Sequence, residues 1–363
     1  MHPFAQKLIS WFERHQRELP WRKTKDPYAI WLSEIILQQT RVKQGLAYYE
    51  QFLQTFPTIF DLAKASQEEV LRLWQGLGYY TRARNLHHTA QYIVAKYQGR
   101  FPSNSQELQK LKGIGKYTAA AIASFAFDEP IPVIDGNVYR VLARLFAIES
   151  DISSPTAYRT FEQVALELLP ASSPAIFNQA IMEFGAIQCT PQNPACITCI
   201  FFNDCRARIL GKQHELPKKS KKIKSQNRYF HYFVVVYQDK ILMKERLEND
   251  IWKGLYDFPL LETEAPLSER EILEICKQKF ATENISFSLP YHKHALTHQT
   301  IWTLFIRISF TESSADVQNV IKSTNAQLYT LPQIQKLPKP ILIASFIQQT
   351  SLHFLNPPIK QKI

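Results

Sequence analysis

The sequence predicts a multidomain chain, an all-α domain followed by a smaller α+β domain. Three observations carry this. Its 363 residues, 45% of them hydrophobic, exceed what one core ordinarily needs. From Phe4 to Tyr97 apolar residues recur at intervals of three and four, the signature of consecutive helices, and nothing up to Arg208 reads as a strand. After Arg228 the chain turns to β-branched and aromatic runs such as YFHYFVVVY.

Asp26-Pro27 is a strong helix start, a capping side chain followed by proline at the first helical position, and the helix it opens is read as running through Glu34 to Thr40. Further helices are expected over Ile59–Ala65, Glu68–Trp74, Ala83–Tyr97, Ser105–Leu111, Thr156–Leu169 and Pro174–Gly185. Between Leu111 and Phe146 two small-residue helices are entered through Gly113-Ile114-Gly115 and through Asp135-Gly136-Asn137. His214 to Arg228 holds five lysines and little apolar character, so it reads as a solvated linker between domains 1–213 and 229–363. In the second domain, strands are expected over Tyr229–Tyr237, Lys240–Lys244, Ser286–Tyr291 and Thr300–Phe310, with helices over Ser268–Phe280 and Lys339–Thr350.

A net charge of +11 suits an anionic polymer or membrane surface as partner. No charged n-region precedes a long apolar core, and no apolar run reaches spanning length, so a soluble protein of the cytoplasm is expected. Four of the five cysteines fall within seventeen residues, at Cys189, Cys196, Cys199 and Cys205. Such clustering points to one metal centre rather than a disulfide framework. Four-cysteine zinc sites usually come as two Cys-x2-Cys pairs, and here there is one, so the spacing leans towards an iron–sulfur cluster without deciding it. Cys276, alone in a helical pattern, reads as a buried small hydrophobe.

The stretch Leu111 to Thr118 fits a helix, a tight glycine turn and a second helix. Free N–H groups and the positive helix end at such a turn suit a phosphate oxygen, although the glycines could equally serve close helix packing. With the cysteine spacing following it, the hairpin resembles the endonuclease III-like DNA glycosylase superfamily. That resemblance implies a helix-hairpin-helix fold gripping DNA phosphates at Gly113, Ile114 and Gly115, and one [4Fe-4S] cluster on Cys189, Cys196, Cys199 and Cys205. Arg206, Arg208 and Lys212 would suit a basic loop against DNA. Members that also cut the backbone carry a hairpin lysine where this chain has Tyr117, and Lys116 points about 100° away on a helix. A base-removing enzyme with little strand cleavage is expected.

Breaking an N-glycosidic bond needs a proton for the departing base and a negative charge near the sugar cation. Glu34 has Ile30, Trp31 and Leu37 at helical neighbour positions, and an apolar face raises a carboxyl pKa towards neutrality. Asp135 reads as an N-cap, and a capped carboxylate accepting N–H bonds is expected to stay ionised.

Trp21-Arg22, Asp26-Pro27-Tyr28, Trp31 to Thr40, Gly76-Leu77-Gly78-Tyr79-Tyr80 and Ile134 to Val138 resemble the adenine DNA glycosylase family, over nearly the whole chain. The resemblance implies a monomer acting on double-stranded DNA at the nucleoid, excising adenine opposite 8-oxoguanine or guanine. It implies that Glu34 protonates adenine, that Asp135 stabilises or traps the sugar cation, and that Tyr117 and Asn137 support the sugar and Asp135. Trp21, Arg22 and Leu37 would line the adenine pocket. Gln39, Thr40, Leu77 and Tyr79 would fill the helix and contact the 8-oxoguanine side.

The second domain resembles the Nudix-like domain with which that family recognises 8-oxoguanine. Trp252 to Pro259 begins where a hydrolase box would stand, but Leu260 replaces a metal-binding glutamate and Arg270 to Ile275 lacks the paired glutamates, so recognition without hydrolysis follows. Leu296-Thr297-His298 falls where the family has Phe-Ser-His, which assigns Thr297 and His298 to the lesion and loses the aromatic contact. His292, His294 and His298 read as polar residues at a strand end rather than metal ligands. A glycosylase-lyase for oxidised pyrimidines and a non-catalytic iron–sulfur DNA-binding protein are the competing readings.

Overall fold

The computed structural model describes residues 2–220, 226–280, 285–287, 291–310 and 314–354. The chain forms two compact units, one of Met1–Lys64 with Asn85–Lys221, the other of Ala65–Arg84 with Lys222–Ile363. The second unit thus takes in 65–84, a stretch that helix periodicity alone puts with the first domain.

The first unit holds helices α1 (Pro3–His15), α2 (Pro27–Leu37), α3 (Val42–Thr55) and α4 (Ile59–Lys64). Helix α5 (Gln67–Leu73) and the start of α6 (Thr81–Tyr97) belong to the second unit. The first unit continues with α7 (Ser105–Leu108), α8 (Lys116–Phe127), α9 (Gly136–Phe146), α10 (Ala157–Leu168), α11 (Pro174–Glu183) and α12 (Arg206–Ile209). Helix α2 starts as expected, with Asp26 Oδ1 accepting from Tyr28 N at 3.0 Å and Pro27 at its first position. It ends at Leu37, not Thr40. Gln38 leaves helical geometry, Gln39 is left-handed at φ 57°, and α3 turns back so closely that a Cβ on Gly45 would lie 2.7 Å from Leu37 Cδ2. Helix α7 stops three residues before the expected Leu111, and α11 passes into a wide π turn over Phe184–Gln188.

Helix α8 is buried from Thr118 to Phe125, and its alanines let α2 pack against it. A second layer unites α1, α9, α10 and α11 around Leu8, Phe12, Val141, Phe161, Phe177 and Phe184. Leu216 belongs to this core, and its carbonyl accepts from Arg144 Nε at 3.0 Å. Glu149 binds Lys212 and Lys218, and Asp151 accepts from Ser220 N at 3.1 Å. The stretch 214–220, exposed except at Leu216 and Pro217, is therefore fastened to the first unit, and 226–228 already belong to a strand. Residues 221–225 of the expected linker lie outside the described residues.

In the second unit β1 (Gln226–Tyr237) lies at the sheet centre, antiparallel to β2 (Lys240–Glu245). Strand β3 (Tyr256–Asp257) pairs β2, and β4 (Leu260–Thr263) pairs β1. After α13 (Glu269–Phe280), β5 (Ile285–Phe287) and β6 (His292–Ala295) run antiparallel to β7 (Gln299–Phe310). Strand β7 is parallel to β1, with Phe230 opposite Thr303. Helix α14 (Ser314–Thr324), β8 (Gln327–Thr330), α15 (Leu331–Lys336) and α16 (Ile341–Phe354) complete it, β8 pairing β2. Helix α13 buries Ile272, Cys276 and Phe280 against Phe233, Val235 and Ile306, so Cys276 is the core residue expected. Strands β3, β4, β6 and β8 are two to four residues long, too short to show a period. Of the strand expected over Ser286–Tyr291, residues 288–290 lie outside the described residues. No helix among the described residues is long and apolar enough to cross a membrane.

Buried Asn178 holds the approach to Asp135. Its Oδ1 accepts from Val133 N at 3.1 Å, and its Nδ2 donates to Ile131 O and Ser124 Oγ, each at 2.9 Å. Asn178→Ala strands a buried N–H and a buried carbonyl, at about 1–3 kcal/mol each. Its thermal midpoint should fall by several degrees, and calorimetry giving the parent midpoint would contradict this role.

Candidate active site

A cavity of about 230 Å³ in the first unit is walled by α2, the turn Pro20–Arg22, α8, the N-terminus of α9 and the end of α11. Glu34, Asp135, Tyr117, Asn137, Trp21, Arg22, Leu37 and Thr40 all line it. Residues separated by more than a hundred positions thus meet at one concave surface. Gln39 does not line it; the early end of α2 leaves it exposed in the turn.

Glu34 projects from α2 beside buried Ile30, Trp31 and Ile35, and is itself 7% exposed. Burial pushes its carboxyl up to about 7; a hydrogen bond from the Tyr117 hydroxyl pulls it down, and the nearby Asp135 carboxylate pushes it up again. Burial and the two carboxylates raise the Tyr117 phenol well above its usual value, so it is a neutral donor.

Asp135 caps α9. Its Oδ1 accepts from Asn137 N and Val138 N, each at 2.8 Å, and its Oδ2 accepts from Asn137 Nδ2 at 2.6 Å. The cap alone predicts a low pKa, yet the net shift is upward: burial is the largest influence, and the hydrogen bonds from Val138 and Asn137 with the charge of Arg140 only offset it in part. Arg140 fixes the amide of Asn137, donating from Nη2 to Asn137 Oδ1 at 2.7 Å and to Gly185 O at 2.6 Å. Gly185 allows this approach, since a Cβ there would lie 2.7 Å from Asn137 Cβ.

Across the cavity, Glu183 is 1% exposed and accepts from Arg17 Nη2 at 2.6 Å and Arg22 Nη2 at 2.7 Å. Burial would lift this carboxyl, but the two guanidinium groups outweigh it and hold it at about 2. Arg22 is thereby fixed on the wall, and Trp21 packs edge-on to Tyr49 at 5.2 Å. Neither Arg17 nor Glu183 stands out in the sequence; an acidic residue on the buried face of α11 is the one signal.

Gly113 is left-handed at φ 80°, and a Cβ there would lie 2.7 Å from Asn85 Cβ. Ile114 is buried, and Thr89 Oγ1 donates to Lys112 O at 2.7 Å. Gly115 caps α8 with open space beside it and makes no side-chain cap hydrogen bond to the first turn of the helix. Lys116 points elsewhere, pairing with Glu162 at 3.0 Å over the ring of Tyr158.

All four clustered cysteines surround one small apolar cavity. Burial, then the neighbouring thiols of Cys189, Cys205 and Cys196, push the Cys199 thiol up to about 11. Among the described residues no three His, Cys, Asp or Glu side chains form a single-ion site, the histidines of β6 included. Helix α9 reaches this loop too. Arg140 Nε donates to Cys189 O at 2.7 Å, and Arg144 Nη1 to Thr190 O at 2.7 Å and Cys189 Sγ at 3.4 Å. Of the basic residues expected in the loop, Arg208 donates to Phe202 O and Lys212 pairs with Glu149. Leu77, Tyr79, Thr297 and His298 lie in the second unit, the last two exposed in the turn between β6 and β7.

Residues 32–166 match the family described as HhH-GPD superfamily base excision DNA repair protein, and 231–349 match the NUDIX domain. The chain is similar to the adenine DNA glycosylase of Buchnera aphidicola subsp. Acyrthosiphon pisum, 32% identical over 93% of this chain and 95% of that one. It is 33% identical to that of Buchnera aphidicola subsp. Schizaphis graminum, over 85% and 89%. The Arabidopsis thaliana adenine DNA glycosylase is 38% identical, and the chain spans 48% of its length. A thermostable thymine-DNA glycosylase structure aligns with a TM-score of 0.52 at 29% identity, over 56% of this chain and 94% of that one.

The shift of Glu34 has a stability consequence. Its folded carboxyl holds the proton more tightly than the unfolded one, so stability is fully retained below about pH 4.5 and falls as pH rises to about 7. The difference is on the order of 3 kcal/mol. Glu34→Gln should therefore melt higher than the parent at pH 8 and converge with it near pH 4.5. Equal midpoints at both pH values would contradict the burial of this carboxyl.

Proposed function

The chain belongs to the adenine DNA glycosylase family, and on that premise we propose that its cavity receives an adenine extruded from duplex DNA while Glu34 and Asp135 divide the hydrolysis. Glu34, shifted towards neutrality, gives its proton to N7 of the base. The C1′–N9 bond then breaks with its electron pair leaving on adenine, and Asp135 faces the sugar cation. Water adds to C1′ and loses a proton, which leaves free adenine and an abasic sugar. Tyr117 holds Glu34, and Asn137, itself held by Arg140, orients Asp135. Trp21, Arg22 and Leu37 shape the base pocket, and Thr40, expected on the 8-oxoguanine side, lines the same cavity.

The observation that carries this reading is the inequality of the two carboxyls on one wall. Asp135 takes three hydrogen bonds that favour its charged form, whereas Glu34 has the Tyr117 hydroxyl against near-complete burial. A non-catalytic binding protein has no use for that arrangement. The lyase alternative needs an amine at the sugar, and no lysine is among the residues that line the cavity.

The Gly113-Ile114-Gly115 turn would hold a phosphate of the duplex on its free N–H groups. Cys189, Cys196, Cys199 and Cys205 would hold one [4Fe-4S] cluster. The fit rests on four thiols around one apolar cavity, with Arg144 and Phe201 N each donating to a ligand sulfur at 3.4 Å. When bound, the cluster serves to brace the loop. Leu77, Tyr79, Thr297 and His298 would meet the 8-oxoguanine opposite the adenine, with Gln39 on the same strand side, and the protein acts as a monomer.

A single-turnover assay on a labelled duplex with A opposite 8-oxoguanine tests this directly. Adenine release should be complete, with strand scission only after hot alkali. Scission without alkali would favour the lyase reading, and binding without release the non-catalytic one.

A further inference from the structure

The turn Ile251–Gly254 stands where a Nudix hydrolase would begin its catalytic box, whose metal-binding acids are missing further on, at Leu260 and in Arg270 to Ile275, and it has no part in the chemistry above. Within the second unit it does something else. Gly254 is left-handed at φ 80° and donates its N–H to Arg246 O at 2.7 Å. A Cβ on Gly254 would lie 3.1 Å from Leu71 Cδ1, so α5 packs on the turn where the side chain is missing. Lys253 O accepts from Arg84 Nη1 at 2.7 Å, and the other branch of Arg84 holds Thr81 Oγ1 at 2.8 Å. Just before α16, Lys339 N donates to Gln75 Oε1 at 3.3 Å.

Between these anchors stands the loop Gly76–Tyr80. Gly76, Gly78 and Tyr79 are left-handed, at φ 102°, 70° and 48°. Trp74 Nε1 donates to Gly78 O at 3.0 Å, while Arg82 Nη2 donates to Leu77 O and Gly78 O, each at 3.2 Å, with its guanidinium over the Trp74 ring. The loop is thus shaped from within and presents Tyr79, 41% exposed.

We propose that the relict box turn is a seat for residues 65–84 and that Arg84 is a positioning residue, fixing the Gly76–Tyr80 loop to the unit that also carries Thr297 and His298. Lesion-side contacts from distant parts of the chain then move as one body. This rests on the reading that these residues meet 8-oxoguanine.

Arg84→Met removes the bond to Lys253 O, and Arg84→Lys keeps a donor. In the full-length protein, amide exchange over 67–80 should quicken about tenfold in Arg84→Met, the weight of one charged hydrogen bond, while 30–37 and 136–146 keep parent rates. Arg84→Lys should lie nearer the parent. Single-turnover rates on A opposite 8-oxoguanine should fall about tenfold relative to A opposite G in Arg84→Met, with the A·G rate unchanged. Unchanged exchange over 67–80, or equal quickening in both units, would overturn the seat. Quickened exchange with an unchanged rate ratio would overturn the positioning role. A parent protein with no preference for 8-oxoguanine would instead sink the lesion reading, and exchange alone would then decide the seat.

Discussion

Glu34 is a carboxyl enclosed in an apolar helix face, and the site depends on what that enclosure costs. An ionised carboxylate there forgoes hydration worth several kcal/mol and recovers little of it from one phenol. Asp135 shares the enclosure, but the cap of α9 and the amide of Asn137 return hydrogen bonds to its charged form. The same burial therefore produces two groups with different protonation tendencies a short distance apart, which is what glycosidic hydrolysis asks of a pair of acids. Glu183 makes the contrast sharper. It is also buried, yet two arginines hold it ionised, so burial with a neutral phenol as partner in place of a guanidinium sets Glu34 apart.

Helix α9 carries this chemistry into the rest of the first unit. Its N-terminus presents Asp135 and Asn137, its next turn presents Arg140, and the turn after that Arg144. Arg140 touches both the Asn137 amide and the backbone of Cys189, and Arg144 fastens the cysteine loop and Leu216. The cysteine loop and the Asp135 cap are thus tied to one helix. The π turn at Phe184–Gln188 and the bare Cα of Gly185 let that helix approach α11.

Much of this was legible in the sequence because it is written locally. A helix cap, a glycine turn and an acid on an apolar face are each set by neighbours within a few positions, so Glu34 and Asp135 stand out locally, whereas Tyr117 and Asn137 stand out only through the family resemblance; all four line one cavity. Helix α2 ends three residues before its local pattern does, and Gly45, which packs on Leu37, is on the next helix. Arg17 and Glu183 pair across 166 positions and leave no periodic trace. Leu216 vanishes among lysines, although a single buried leucine decides where the chain is anchored. Residues 65–84 carry an ordinary helical pattern, and only their packing assigns them to the second unit.

Burial that keeps Glu34 protonated near neutrality is what the proposed acid role requires. The pH dependence of single-turnover adenine release measures this most directly. The rate constant should fall above about pH 7, approaching tenfold per unit once Glu34 is largely ionised, as an acid with that pKa requires. A rate constant that stays flat to pH 9 would contradict it.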